Sequence, residues 1–303
     1  MNKSTRRLTP IHGIIAFIVI ILLSFFVFAP LQYAFGMLGL ALTELGLLLA
    51  ALLAVRLTGQ RLKAVFPIRL PGFGQIMGTL LIWGGSFLLV MLSTLVLMYF
   101  FPEGYLAVSS NMDSIFSTVS APVRLFIIAV MPAICEEALH RGFIQYSFQS
   151  LRRDWVIILG MGLIFGLFHL DPYRFLPTAL LGIGLSYVMQ KTHNILLPAL
   201  YHFVNNFLSF LSTLVSSPET AEESAAMFAD RSYILSAIGS YLVIGALAPI
   251  LLYAGSYLIR KSSGSLPRQS DGKIVATVIA ILLLSGIMLA AGYAIVLLNH
   301  PAL

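Results

Sequence analysis

Apolar runs of about the length needed to cross a lipid bilayer recur along almost the whole chain, and no other feature restricts the fold so strongly. A helical crossing takes about 20 residues. Runs of or near that length occupy 11–28, 36–55, 74–101, 122–148, 155–170, 175–190, 195–215, 233–259 and 274–298. In hydrocarbon every backbone amide must find its partner inside the protein, so only helices or a closed barrel can span. Barrel strands would alternate apolar and polar residues at every second position, and these runs do not. The expected fold class is all-α, a polytopic transmembrane helical bundle of eight to nine helices. Composition agrees: 10% of the 303 residues are charged, against about 25% in a soluble domain. The first run is not expected to be a cleaved signal peptide, because it lacks a small-residue cleavage site and a second run follows almost at once.

Charge alternates between the junctions. Lys3, Arg6 and Arg7 precede the first run, and Arg56, Arg61, Lys63 and Arg69 follow the second. Arg152 and Arg153 follow the fourth, Lys191 the sixth, and Arg260, Lys261, Arg268 and Lys273 the eighth. The other junctions hold Glu103, Asp113, Asp171, Glu219, Glu222, Glu223 and Asp230 against Arg124, Arg174 and Arg231. Basic excess marks the cytoplasmic side, which puts the N-terminus inside, the loop 216–230 outside and the C-terminus outside. The compact loops suit a bacterial cytoplasmic membrane. The net charge of +6 is thus a topology signal, and no nucleic-acid partner is expected, since no basic patch interleaved with aromatic residues is present. The single cysteine, Cys135, excludes an internal disulfide and a Cys-rich metal site. Three regions are expected. Residues 1–121 hold three spans and a basic interfacial element (61–74), 122–215 form a polar-residue-bearing core, and 216–303 hold the external loop and the last two spans.

Ionisable groups deep in a membrane helix are costly and are functional candidates by default. The fourth run holds four: Glu136, Glu137, His140 and Arg141. Residues four apart share a helix face, so Glu136 is expected to stack with His140, and Glu137 to pair with Arg141. That pairing leaves Glu136 available for other work; the competing reading is a purely structural ion-pair cluster. The fifth run ends in Phe165 and His169, one turn apart, and the seventh sets His202 and Asn206 on one face. His12, His193 and His300 lie at segment ends and read as solvated. Pro132 and Pro198 each stand four residues before a candidate, Glu136 and His202, where a helix-interior proline would kink the helix. Glu44, mid-helix among leucines, must find a partner; Arg141 or another basic group of the core would serve, and substrate contact is a weaker option.

Taken in order, Glu136-Glu137-x-x-x-Arg141, Phe165-x-x-x-His169 and His202-x-x-x-Asn206 resemble the three motifs of the CAAX protease and bacteriocin-processing (CPBP, or Abi) family, which includes the type II CAAX prenyl endopeptidases. The resemblance covers about a third of the chain. It implies peptide-bond hydrolysis in the membrane, on a membrane-associated, prenylated or leader peptide. Glu136 and His169 would activate a water, His202 and Asn206 would stabilise the oxyanion, and Glu137 and Arg141 would support them. A desolvated carboxylate also suits a base that later protonates the leaving amine. Members of the family are often labelled metalloproteases, and Glu136, His169 and His202 would be a plausible Zn²⁺ set. The H-E-x-x-H signature is missing, and no second carboxylate would be free as base. Metal-independent catalysis without a cofactor is therefore favoured. Cys135, pointing about 100° from Glu136, is not favoured as nucleophile. A proton-coupled transporter and a non-catalytic immunity or scaffold protein are the alternatives; no repeated halves favour the first, and intact motifs speak against the second. One tension remains. Counting along alternating spans leaves His169 near the outer end of its run and His202 towards the inner, so the hairpin at Asp171, Pro172 and Tyr173 would have to sink inward.

Overall fold

A computed structural model describes residues 8–104, 119–215, 226–227, 230–268 and 270–299. The expected external loop lies outside them except for Ala226, Met227 and Asp230, as do Lys3, Arg6, Arg7, Asp113 and His300. The described residues are all-helical, with no strand among them. The main helices, in chain order, are α1 (Pro10–Phe35), α2 (Met37–Leu57), α3 (Phe73–Phe100), α4 (121–151), α5 (Asp154–Phe168), α6 (Pro172–Thr192), α7 (Leu196–Val215), α8 (Arg231–Ser262) and α9 (Asp271–Asn299). Helices α1, α2, α3, α8 and α9 are each long and apolar enough to cross a bilayer by themselves. The central four carry the polar residues or, like α5, are short. Large apolar side chains such as Phe26, Leu49, Leu163, Ile287 and Leu298 stand exposed on the outside, as a lipid-facing surface requires.

Two local features shape the first half. Helix α1 does not stop at 28; it runs on to Phe35, with a π-helical stretch at Ser24–Phe28 just before Pro30. A proline ring collides with the carbonyl one turn back and removes a hydrogen bond, and a widened turn is one way to accept that. Gly36, at φ +52°, then reverses the chain in a single residue, a conformation that costs glycine little.

The ends of the helices sort onto two faces. On one, the Ile195 amide donates to the Pro67 carbonyl (2.9 Å), Asn194 donates to the Arg69 carbonyl (2.8 Å), Lys191 pairs with Asp154, and Gln75 donates to Ser263 (3.0 Å). The junctions after α2, α4, α6 and α8 therefore share one face, and it is the basic one. On the opposite face Phe101 meets Tyr173 (6.0 Å between ring centroids), Arg231 lies over Tyr99, and Asn299 donates to the Ser232 carbonyl (2.7 Å).

Close helix approach depends on small residues, because lipid offers apolar surfaces no reason to associate. A β-carbon on Gly182 of α6 would stand 2.8 Å from the Phe165 Cβ and 3.1 Å from the Gly162 Cα of α5. A β-carbon on Gly162 would stand 2.9 Å from the Ala179 carbonyl oxygen. Gly160, two residues away on the same helix, has nothing within 4 Å of that point. Over-packing costs about 1–3 kcal/mol, whereas alanine in an open helical position gains up to about 1 kcal/mol. Gly162→Ala should therefore lower the melting temperature of the purified protein and Gly160→Ala should leave it unchanged or raise it. Equal effects in the two melts would show that the α5–α6 seam does not hold the bundle as described.

Candidate active site

Helix α4 is irregular where the candidates are. A π-helical stretch, Phe126–Val130, ends two residues before Pro132, and a second, Ala138–Ile144, begins directly after Glu137 and contains His140 and Arg141. Such widened turns recur at functional sites. Pro198, by contrast, is the third residue of α7, in the first turn, where amides have no intrahelical partner. It therefore produces no kink before His202, contrary to the sequence expectation.

The centre of the site is one buried ionic network. Arg141, fully buried, donates from Nη1 to Glu137 Oε1 at 2.9 Å and from Nη2 to the Gly182 carbonyl at 3.3 Å. Its guanidinium carbon lies 4.3 Å from the centroid of the Phe165 ring, a favourable cation–π placement. The same Glu137 Oε1 accepts from His202 Nδ1 at 2.8 Å. One carboxylate thus ties α4 to α7, and its arginine ties α4 to α5 and α6.

Glu136 turns elsewhere. Its Oε2 has no hydrogen-bond partner, and it lines a cavity of about 400 Å³ together with His169, His202 and Asn206. His169 caps the end of α5 and its Nδ1 lies 2.8 Å from the Phe165 carbonyl. A carbonyl only accepts, so Nδ1 carries the hydrogen and Nε2 is left with its lone pair. By the same reasoning His202 gives its Nδ1 hydrogen to Glu137. Asn206 accepts from Asn205 Nδ2 at 3.3 Å through Oδ1, so its amide nitrogen is the end with hydrogens to give. His140 is not among the residues lining the cavity. Its Nδ1 bonds the backbone carbonyl of Glu136 (2.9 Å), and its ring meets Phe165 and Phe168 edge-on. The expected stacking on the Glu136 carboxylate is therefore replaced by a backbone contact.

The depths converge for two reasons. Helix α5 has 15 residues, a rise of about 22 Å, short of the roughly 30 Å hydrocarbon core. Its end nevertheless brings His169 to the cavity that Glu136 of α4 also lines. Helix α7 also starts sunken: Asn194 and Ile195 before it are already buried, roofed by the segment that carries Val65 and Pro67.

Further polar groups on the cavity wall escaped the motif reading or were left undecided, among them Glu44, Arg174, Asn205 and Gln32. Glu44 was flagged as needing a partner, yet Arg141 is committed to Glu137 and Gly182, and Glu44 faces the cavity instead. Arg174 was counted only as a junction charge, and it sits in the first turn of α6. Glu44 also removes one sequence argument against a metal, because a second carboxylate does reach the cavity. The geometry bears on the metal separately: Glu136, His169 and His202 are not gathered as a ligand set, and among the described residues no group of three or more His, Cys, Asp or Glu could hold an ion. Cys135 faces a separate apolar hollow between α2 and α4, beside Leu45 and Ile134, away from the cavity.

Comparison with known proteins places residues 118–208 in the family model described as type II CAAX prenyl endopeptidase Rce1-like. No curated protein and no solved structure matches the chain. The matched stretch takes in α5 and α6 and contains every residue of the ionic network together with Glu136, His169 and Asn206. Over this segment, about a third of its length, the chain is similar to the type II CAAX prenyl endopeptidase Rce1-like family.

Proposed function

We propose that this multi-pass membrane protein is an intramembrane endopeptidase that cleaves a peptide bond of a membrane-associated substrate, a prenylated C-terminal peptide or a leader peptide. The observation that carries the reading is the cavity in which Glu136, His169, His202 and Asn206, from three helices, face one space within the bundle. Amide hydrolysis needs a base for water and donors aimed at the developing oxyanion. Glu136, with an unpartnered oxygen, and His169, with the Nε2 lone pair, supply the base. Asn206 supplies one donor through its amide nitrogen. His202, whose Nδ1 hydrogen goes to Glu137, supplies the second from Nε2 when that nitrogen also carries a hydrogen. An oxyanion donor is worth roughly 3 kcal/mol in such sites. Glu137 and Arg141 act by holding His202 and α4 in place. The scheme runs through side chains alone, with no cofactor; a Zn²⁺ would have to use Glu136, His169 and His202.

The test is cleavage of a fluorogenic peptide ending in a farnesylated cysteine and three further residues. The wild-type protein should cleave it, with activity surviving exhaustive chelation. His169→Ala should abolish turnover, and Asn206→Ala should lower kcat by about 100- to 1,000-fold. Loss on chelation with recovery on stoichiometric Zn²⁺ would reassign Glu136, His169 and His202 as ligands, and full activity in both variants would end the proposal.

The proposal includes an orientation. The face that gathers the junctions after α2, α4, α6 and α8 carries Arg61, Lys63, Arg69, Arg152, Arg153 and Lys191, and basic junctions stay in the cytoplasm. The N-terminus is then cytoplasmic, the membrane is a bacterial cytoplasmic membrane, and the partners are the bilayer and the peptide, not nucleic acid. A cysteine placed at Ser263, in a Cys135→Ser background, should react with an impermeant thiol reagent only in inside-out vesicles. Labelling in right-side-out vesicles alone would invert the topology.

A further inference from the structure

One buried carboxylate on the cavity wall has no part in that scheme. Glu44 stands in α2, outside the matched residues 118–208, is 3% exposed and lines the same cavity as Glu136. Neither Glu44 Oε2 nor Glu136 Oε2 has a hydrogen-bond partner, so two unpartnered carboxylate oxygens belong to the walls of one cavity. The polar side chains at its own end of the cavity are occupied with each other: Gln32 donates to Thr43 Oγ1 (2.9 Å), and Thr43 donates to the Gly39 carbonyl (2.9 Å). Across the cavity it faces Glu136 of α4, His169 of α5, Arg174 of α6 and His202 of α7. Arg141, the cation inside the ionic network, is bound to Glu137. Two carboxylates sharing a site of low dielectric do not both ionise, and such a pair divides into an acid and a base.

We propose that Glu44 is the acid of this pair, a catalytic residue that donates a proton to the leaving amine. The idea rests on the peptidase reading above. Water, losing a proton to Glu136 or His169, adds to the carbonyl carbon; one C–O bond forms and the carbonyl π pair moves to oxygen. The tetrahedral adduct then collapses. Its C–N bond breaks, the nitrogen takes the Glu44 proton, and an amine and a new carboxyl group leave. The proton taken from water returns to Glu44 through the cavity, which restores the pair without any other reactant.

Two probes separate acid catalysis from every other role. One is the farnesylated peptide with its scissile amide; the other is an aryl ester of the same farnesylated cysteine, whose phenolate departs without a proton. Turnover is counted per folded molecule, from melts of each variant. Glu44→Gln should slow amide cleavage by about 100-fold, the scale of general acid catalysis, and leave ester cleavage within about twofold. Glu44→Asp, which keeps an acid, should retain at least about a tenth of the amide activity, the loss set by its shorter reach. Normal amide turnover in Glu44→Gln, or an equal fall on both probes, would overturn the assignment while leaving the peptidase standing. A wild-type protein that cleaves neither probe would sink the peptidase reading and this inference with it.

Discussion

The Glu137 carboxylate is the point on which the rest of the site depends. It is fully buried in a bundle that lies in lipid, and it accepts both the Arg141 guanidinium at 2.9 Å and His202 Nδ1 at 2.8 Å. Neither charge could remain there alone, because removing one partner of a buried pair costs about 3–5 kcal/mol. Arg141 also reaches Gly182 and lies over Phe165, so the pair fixes four helices relative to one another. Adjacent in sequence, Glu136 is left out of this network, and being left out is what makes it available to the cavity. Two glutamates side by side thus part company: one joins the ionic network and the other lines the cavity.

A polar cavity enclosed within a helical bundle needs helices that stop early or start late. Helix α5 ends at Phe168, so that His169 stands at a helix terminus inside the protein, and α7 begins beneath a roof formed by the segment after α2. The widened turns of α4 on either side of Met131–Glu137 belong to the same departure from regular span geometry. Around this core the longer spans α1, α2, α3, α8 and α9 are held by apolar contact and glycine seams such as Gly78 with Gly255 and Gly239 with Gly292. Irregular elements at the centre are tolerated because regular ones enclose them.

Much of this was legible in the sequence, for physical reasons that can be named. Hydrocarbon demands unbroken apolar length, so an all-helical membrane bundle could be read directly, and five of its helices are long and apolar enough to cross a bilayer. Charged residues are rare in such spans, so Glu136, Glu137, Arg141, His169 and His202 stood out, and i,i+4 spacing gave the Glu137–Arg141 pair. Elsewhere local reading was insufficient. His140 has the spacing to meet the Glu136 side chain but finds the Glu136 backbone, because the Phe165 and Phe168 rings occupy its face. Pro198 read as a kink although its run starts at 195; a proline three residues from a helix start falls in the first turn, where no hydrogen bond is lost. Glu44 and Arg174 join the cavity from elements distant in sequence, and no spacing rule reaches between α2 and α4. Their placement is a property of tertiary packing.

The central claim is the division between Glu136 and the Glu137–Arg141 pair, and the most direct measurement compares Glu136→Gln with Arg141→Ala in thermal melts and single-turnover cleavage. Glu136→Gln keeps the shape but cannot accept the proton of water, so it should melt like the wild type and lose kcat with binding nearly intact. Arg141→Ala strands Glu137 and should lose about 3–5 kcal/mol of stability. A Glu136→Gln protein that is as unstable as Arg141→Ala, yet turns over normally per folded molecule, would contradict the account and exchange the roles of the two glutamates.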